Sequence, residues 1–300
     1  MDVSFSWNLI DDIREMWSLP SMVSAFRAGT IVAVLAGLVG WFMVLRKQSF
    51  AGHTLAVVGF PGAAAAVWLG LSAGSGYLAF CLLAALVIAA LPTQGQAGYS
   101  EESAVVGTTQ AFALGAGSLF IALYKGFLNG TNALLFGTFL GITSDQVLLL
   151  AIIAAVVLIV LAVAGRPLLF ASIDRDVARA NGVPTRLLGV VFLLLLGATA
   201  AAVSQITGSL LVFALLVLPP ATAQLITARP ARGLVLSVVL ALVSVWVALF
   251  VSYYSPYPVG FWLTTVAFGL YLVTAAVSVA LRRLGRRAVP AAVAVSEAAA

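Results

Sequence analysis

Nine apolar runs follow one another along this chain with only short breaks between them. They lie at about 28–45, 54–72, 77–92, 104–124, 146–165, 187–204, 207–226, 233–254 and 261–281. A hydrocarbon core of about 30 Å takes about 20 apolar residues of helix, so each run is close to the length of a membrane span. The runs are continuous and do not alternate as the strands of a membrane barrel do. Helices are then the element that satisfies the backbone within lipid. The pair 187–226 is divided only by Gln205-Ile206-Thr207-Gly208. The sequence predicts an all-α polytopic membrane protein with about nine transmembrane helices, eight to ten bracketing the count.

Composition closes off the other classes. The chain is 63% apolar and 8% charged, with mean hydropathy +1.14, against roughly 25% charged residues in an average soluble domain. Too little polar surface remains to cover a water-soluble fold. A soluble enzyme, a disordered chain and a secreted disulfide scaffold are all excluded. One cysteine, Cys81, permits no disulfide framework, and one histidine, His53, permits no multi-histidine metal site within one chain.

The charges sit at span ends and report orientation. With the N-terminus outside and the C-terminus in the cytoplasm, the inner segments hold Arg46, Lys47, Arg166, Arg175, Arg179, Arg186, Arg229, Arg232, Arg282, Arg283, Arg286 and Arg287. That is twelve of the fifteen Lys and Arg residues; Arg14, Arg27 and Lys125 stay outside. The net charge of +5 therefore points to no nucleic-acid partner.

Three regions follow. Residues 1–24 hold Trp7, Ile10, Ile13 and Trp17 at helical spacing with Asp11, Asp12, Arg14 and Glu15 between them. This pattern predicts a short amphipathic helix over 5–19 at the outer interface, ended by Pro20. The acidic residues, and a first long run ending in Arg46-Lys47 with no cleavage site, argue against a signal peptide. Residues 25–284 form the membrane domain, including a cytoplasmic loop over 166–186. Residues 285–300 are Ala- and Val-rich with Pro290, the pattern of a disordered tail. The arginines at 282–287 suit an anchor on anionic lipid.

Enzyme signatures are missing: there is no G-x-x-x-x-G-K-[ST], no G-x-S-x-G and no H-E-x-x-H. The mid-spans carry no ionisable residue of the kind that relays protons. If the chain moves a solute uphill, a separate ATPase chain is the energy source, and ATP binds there. No cofactor is expected on this chain.

Three segments stand out. In the inner loop, Asp174 is placed to N-cap a short helix, Asp176 lies in its first turn, Ala178 and Arg179 follow, and Gly182 with Pro184 would end it. Spacing alone suits either a solvated connector or a coupling helix that docks on an ATPase. In the second span, Pro61 removes a backbone donor and Gly62 weakens the helix, so the span either kinks for packing or opens carbonyls to a cavity. In the seventh, tandem Pro219 and Pro220, followed by Thr222, predict a broken helix on a translocation pathway. Gly70-x-x-x-Gly74 and Gly137-x-x-x-Gly141 have the spacing of close helix packing.

These segments together resemble the membrane subunit of the zinc, manganese and iron ATP-binding-cassette importers, the ABC-3 permease family, over about 25–281. The family's arginine followed by S-F-x-G-D-x-L-x-H and P-G is matched at Arg46, Ser49, Phe50, Gly52, Leu55, Pro61 and Gly62. Its inner-loop F-D-x-E-x-A-x-x-x-G is matched at Asp174, Ala178 and Gly182, with Asp176 standing for the Glu. Its G-x-L-L-V-x-A-L-L-x-x-P-x-A-T-A is matched at Gly208, Leu210, Leu211, Val212, Ala214, Leu215, Leu216, Pro219, Ala221, Thr222 and Ala223. The stretch from Leu135 through Gly137, Leu140 and Gly141 to Asp145 is similar to its L-F-G-x-x-L-x-x-x-x-x-D.

The resemblance implies a permease-like bundle in the bacterial plasma membrane, present as a homodimer. Two cytosolic ATPase subunits would dock on the 174–182 helices. An extracytoplasmic binding protein would deliver a divalent metal, which alternating access would move inward. Where the family has Asp and His one helical turn apart, this chain has His53 and Val57. The cargo could then be a chelate or a non-metal, or the chain a scaffold that no longer transports. Remaining ligand candidates are His53, Asp145, Gln110, Ser204, Gln205, Thr222 and Gln224, with Asp145 better placed to cap the fifth span than to bind metal. Paired across a dimer axis, two His53 side chains would suit zinc or another borderline metal.

Overall fold

The structure, a computed structural model, describes residues 9–90, 99–123, 135, 137, 139–209 and 211–287. Eleven α-helices are described, with no strand among the described residues. They are α1 (Leu9–Ser18), α2 (Pro20–Leu45), α3 (Ser49–Trp68), α4 (Ala73–Ala90), α5 (Tyr99–Leu123), α6 (Ser144–Ile173), α7 (Arg175–Ala180), α8 (Thr185–Thr207), α9 (Val212–Ile226), α10 (Pro230–Tyr253) and α11 (Val259–Arg287). A 3-10 turn at Phe139–Gly141 precedes α6.

Seven of these, α2, α3, α4, α6, α8, α10 and residues 259–281 of α11, are long and apolar enough to cross a membrane. The other two predicted runs are helical but fall outside that set. At 15 residues, α9 extends about 22 Å, short of a full span. In α5, Glu101, Glu102, Thr108, Thr109 and Gln110 dilute the apolar character of the first half.

Burial orders the bundle. The central helix is α3, 83% buried, packed on α4, α5 and α8; α2 packs on α6, α8, α9 and α10. The most peripheral of the seven is α11, 11% buried. On α6, exposed Leu148, Ile152, Val156, Ile159 and Val163 recur at helical spacing, as do Val235, Val239, Val243 and Trp246 on α10. Such stripes are at ease only in lipid.

Several predicted boundaries move. Pro20 occupies the first turn of α2, where its missing N–H costs nothing. Helix α1 forms within the segment read as amphipathic; Met16 is buried, Ile13 exposed, and exposed Trp17 stacks on Phe26 at 6.1 Å. Most of the loop predicted over 166–186 is helix, because α6 runs through Pro167 to Ile173. The predicted tail begins later, since α11 continues to Arg287. Trp7, Lys125, Phe136 and residues 288–300 lie outside the described residues.

Neither glycine pair read as a helix-packing motif lies on a helix face. Gly70 forms the turn after α3 (φ 76°), and Gly137 lies outside the helices (φ 78°). The close helix contact is elsewhere: a Cβ on Gly62 of α3 would land on the Gly76 carbonyl and Phe80 of α4, and one on Gly76 would meet the Gly62 carbonyl. Two backbones in such contact gain dispersion that lipid tails cannot supply.

Candidate functional site

The turn joining α2 to α3 carries the first site elements. The N–H of Gln48 donates to Met43 O (3.0 Å) and that of Lys47 to Val44 O (3.0 Å). This is a Schellman closure with Lys47, φ 58°, in the position glycine usually takes. Helix α3 starts immediately, and His53 lies just over one turn in. Its ring meets Phe213 of α9 edge-on at 5.0 Å, and it is partly buried. The Nδ1 atom is buried without a hydrogen-bond partner. The neighbouring Thr54, fully buried, donates to Gln110 Oε1 of α5 (3.0 Å). Phe213 brings α9 to His53, so the single imidazole sits where the central helix meets the tandem-proline helix.

Among the described residues no three His, Cys, Asp or Glu side chains come together to hold a metal ion. Asp145 does not join His53. It is exposed in the first turn of α6, 27 residues before Ser172, which is about 40 Å of helix. Ser172 bonds to Arg46 at the His53 end (3.2 Å), so Asp145 belongs to the opposite end of the bundle. Nor does Asp145 cap α6. Thr143 does, accepting from Gln146 N (3.3 Å) while the Gln146 side chain accepts from Thr143 N (3.0 Å). Cys81 is buried in packing and donates to Leu55 O (3.2 Å).

The helices are not broken at the prolines. Pro61 lies within α3 and Pro219 and Pro220 within α9, all three buried. Each proline frees the carbonyl four residues earlier. For Pro220 that is Leu216 O, and Gly40 of α2 lies so close to it that a side chain there would collide. Pro61 packs beneath Gly117 of α5, and Gly62 lies in the α3–α4 contact described above. Thr222 donates to Leu218 O (2.7 Å) and Gln224 to Trp41 O (3.0 Å). Gln205, near the end of α8, lies against Gly74 of α4. Gln224 and Gln205 thus join helices, Thr222 bonds within its own helix, and the Ser204 hydroxyl of α8 is left buried without a partner.

Leu135 and Gly137 meet residues 206–208. Gly137 and Gly208 both have positive φ, 78° and 73°, and a Cβ on either would strike the other's backbone. Both backbones fit there only without side chains. Two motifs distant in sequence are therefore one structural feature.

The loop helix α7 is built as the sequence predicts. Asp174 Oδ1 accepts from Asp176 N (3.0 Å) and Val177 N (2.9 Å). At the other end Val183 N donates to Ala178 O and Gly182 N to Arg179 O (both 3.0 Å), with Gly182 at φ 78°. Ala178 is fully buried, and Arg179 Nε reaches Thr185 Oγ1 (3.3 Å). Asp176 is exposed, as are Ile173 at 67% and Val177 at 47%. Sequence reasoning missed these two. A charged loop with two apolar residues facing outward was the available signal.

Comparison with known proteins follows the same outline. The ABC 3 transport family matches residues 18–278. The manganese transport system membrane protein MntC of Halalkalibacterium halodurans is 29% identical over 250 residues, covering 82% of this chain and 83% of that protein. The chelated iron transport system membrane protein YfeC of Yersinia pestis is 29% identical over 233 residues, covering 78% of each. The solved structure of PsaBC from Streptococcus pneumoniae in complex with Fab shares the fold. Its TM-score is 0.78 at 24% identity, covering 89% of this chain and 95% of that one. The chain is a multi-pass protein of the bacterial plasma membrane, and it belongs to the ABC 3 transport family.

Proposed function

We propose that this chain is the permease subunit of an ATP-driven importer that moves a divalent transition metal, manganese, iron or zinc, inward by alternating access. Its relatives MntC and YfeC carry manganese and chelated iron transport in their names. In this reading the N-terminus lies outside and the C-terminus in the cytoplasm, as the arginine distribution favours. Two copies pair, a cytosolic ATPase docks on each α7, and an extracytoplasmic binding protein delivers the metal. The chain itself is not an enzyme.

The observation that carries this reading is α7. A six-residue helix is too short to be stable alone, yet it is closed at both ends by hydrogen bonds and anchored by buried Ala178. It follows a 30-residue helix, about 45 Å long, whose final turns extend beyond a hydrocarbon core of about 30 Å. Exposed Ile173 and Val177, with Arg175, Asp176 and Arg179 among them, make an apolar spot with a charged rim outside the lipid. Such a spot suits a protein partner.

His53 contributes one imidazole per subunit, and two across the dimer axis form a nitrogen site suited to a borderline metal. The test is ATP hydrolysis in liposomes by the chain co-purified with the ATPase and binding protein encoded beside it. Manganese, iron or zinc should stimulate hydrolysis, and His53→Ala should remove the stimulation. Stimulation that survives His53→Ala returns His53 to packing against Phe213. No stimulation by any metal contradicts the metal cargo.

A further inference from the structure

Arg46 is the C-cap of α2 and reaches two other helices and the N-cap of a third. Its Nε donates to Gln48 Oε1 (3.1 Å), the N-cap residue of α3. Its Nη1 donates to Ser172 Oγ (3.2 Å) in the last turn of α6, and that hydroxyl donates in turn to Leu168 O. Its guanidinium lies 5.0 Å from the ring centre of Phe192 in α8, a fully buried side chain. This is within the range of cation–π attraction. The planar fork holds two acceptors in fixed directions, which an ammonium on a flexible stem does not.

What these contacts join matters more than their number. Ser172 lies two residues before Asp174, which closes α6 and caps α7 at the same time. No flexible linker therefore separates Ser172 from the docking helix. Gln48 lies five residues before His53 on the most buried helix of the bundle. Between Arg46 and Gln48 stands Lys47 in the left-handed region, φ 58°. A non-glycine residue there is strained and persists only where its surroundings hold it.

We propose that Arg46 is a positioning residue that transmits displacement of α7 to α3, and so couples ATP hydrolysis on the partner to movement of cargo past His53. The proposal rests on the importer reading above. A mere topological anchor would need only a positive charge, and the fork is what distinguishes the two roles.

The test uses vesicles holding the chain with its ATPase and ATP on the inside and the binding protein outside, and reads manganese(II) taken up per ATP hydrolysed. Arg46→Gln and Arg46→Lys should each lower that ratio about tenfold, the scale of losing hydrogen bonds to a charged group, while the complex still co-purifies. Ser172→Ala, which leaves Arg46 in place, should lower it less. Arg46→Lys at the wild-type ratio, or Ser172→Ala with no effect, overturns the role of Arg46. If Arg46→Gln fails to fold, the other two variants decide. Wild-type chain that recruits no ATPase contradicts the importer reading itself, an outcome distinct from a working wild type with indifferent variants.

Discussion

A single carboxylate starts α7. Asp174 holds two backbone N–H groups at its start, and an N-cap of this kind contributes about 1 kcal/mol. Six residues have little local reserve beyond this cap and the closure at Gly182. Asp174→Ala should therefore weaken ATPase recruitment about fivefold, measured by titrating purified ATPase onto the chain in detergent. Asp174→Asn should restore it, because the amide oxygen still accepts. Asp176→Asn should leave α7 intact, since that side chain is exposed and makes no cap bond. The roles of Asp174 and Gly182 were legible in the sequence because capping is local chemistry. The roles of Arg46 and Gly208 were not. Each depends on a partner far along the chain, Ser172 for one and Gly137 for the other, and one sequence carries no sign of such pairings.

At the scale of helices, the sequence located the apolar runs and misread their interruptions. Every run holds a helix, and the weak break before Gly208 is a true one, because α8 ends at Thr207. Pro219 and Pro220 were read as a break and Pro61 as either a packing kink or an opening, yet α3 and α9 continue through them. A proline within a membrane helix leaves one carbonyl free, and a neighbouring backbone can approach it closely. Gly40 at Leu216 O is that approach. The packing of α3 on α4 leads to a comparison of neighbours. Gly62→Val would drive a branched side chain into the Gly76 carbonyl and Phe80, and overpacking of this kind costs about 1–3 kcal/mol. Pro61→Ala would restore an N–H donor toward Val57 O. Thermal unfolding in detergent should show Gly62→Val clearly destabilised and Pro61→Ala close to wild type. The reverse order would mean that the kink, and not the α3–α4 contact, shapes this helix.

At the scale of the molecule, apolar periodicity and the arginine bias set the class and an orientation, while the arrangement around α3 required the fold. Orientation is open to direct test in a background with Cys81 replaced. A cysteine at Lys47 should react with a membrane-impermeant maleimide only from the cytoplasmic side, and one at Ser255, in the turn between α10 and α11, only from outside. The central claim is that this bundle imports metal when an ATPase docks on α7. The most direct measurement is manganese(II) entering inside-out vesicles or leaving them, in the presence of ATP, the ATPase chain and the binding protein. Import in the cell predicts ATP-dependent loss of manganese from preloaded inside-out vesicles that hold the binding protein in their lumen, abolished when α7 is disabled by Asp174→Ala combined with Val177→Asp. Manganese, and iron and zinc tested in the same way, all retained in spite of ATP hydrolysis, or lost equally without the ATPase, would contradict it.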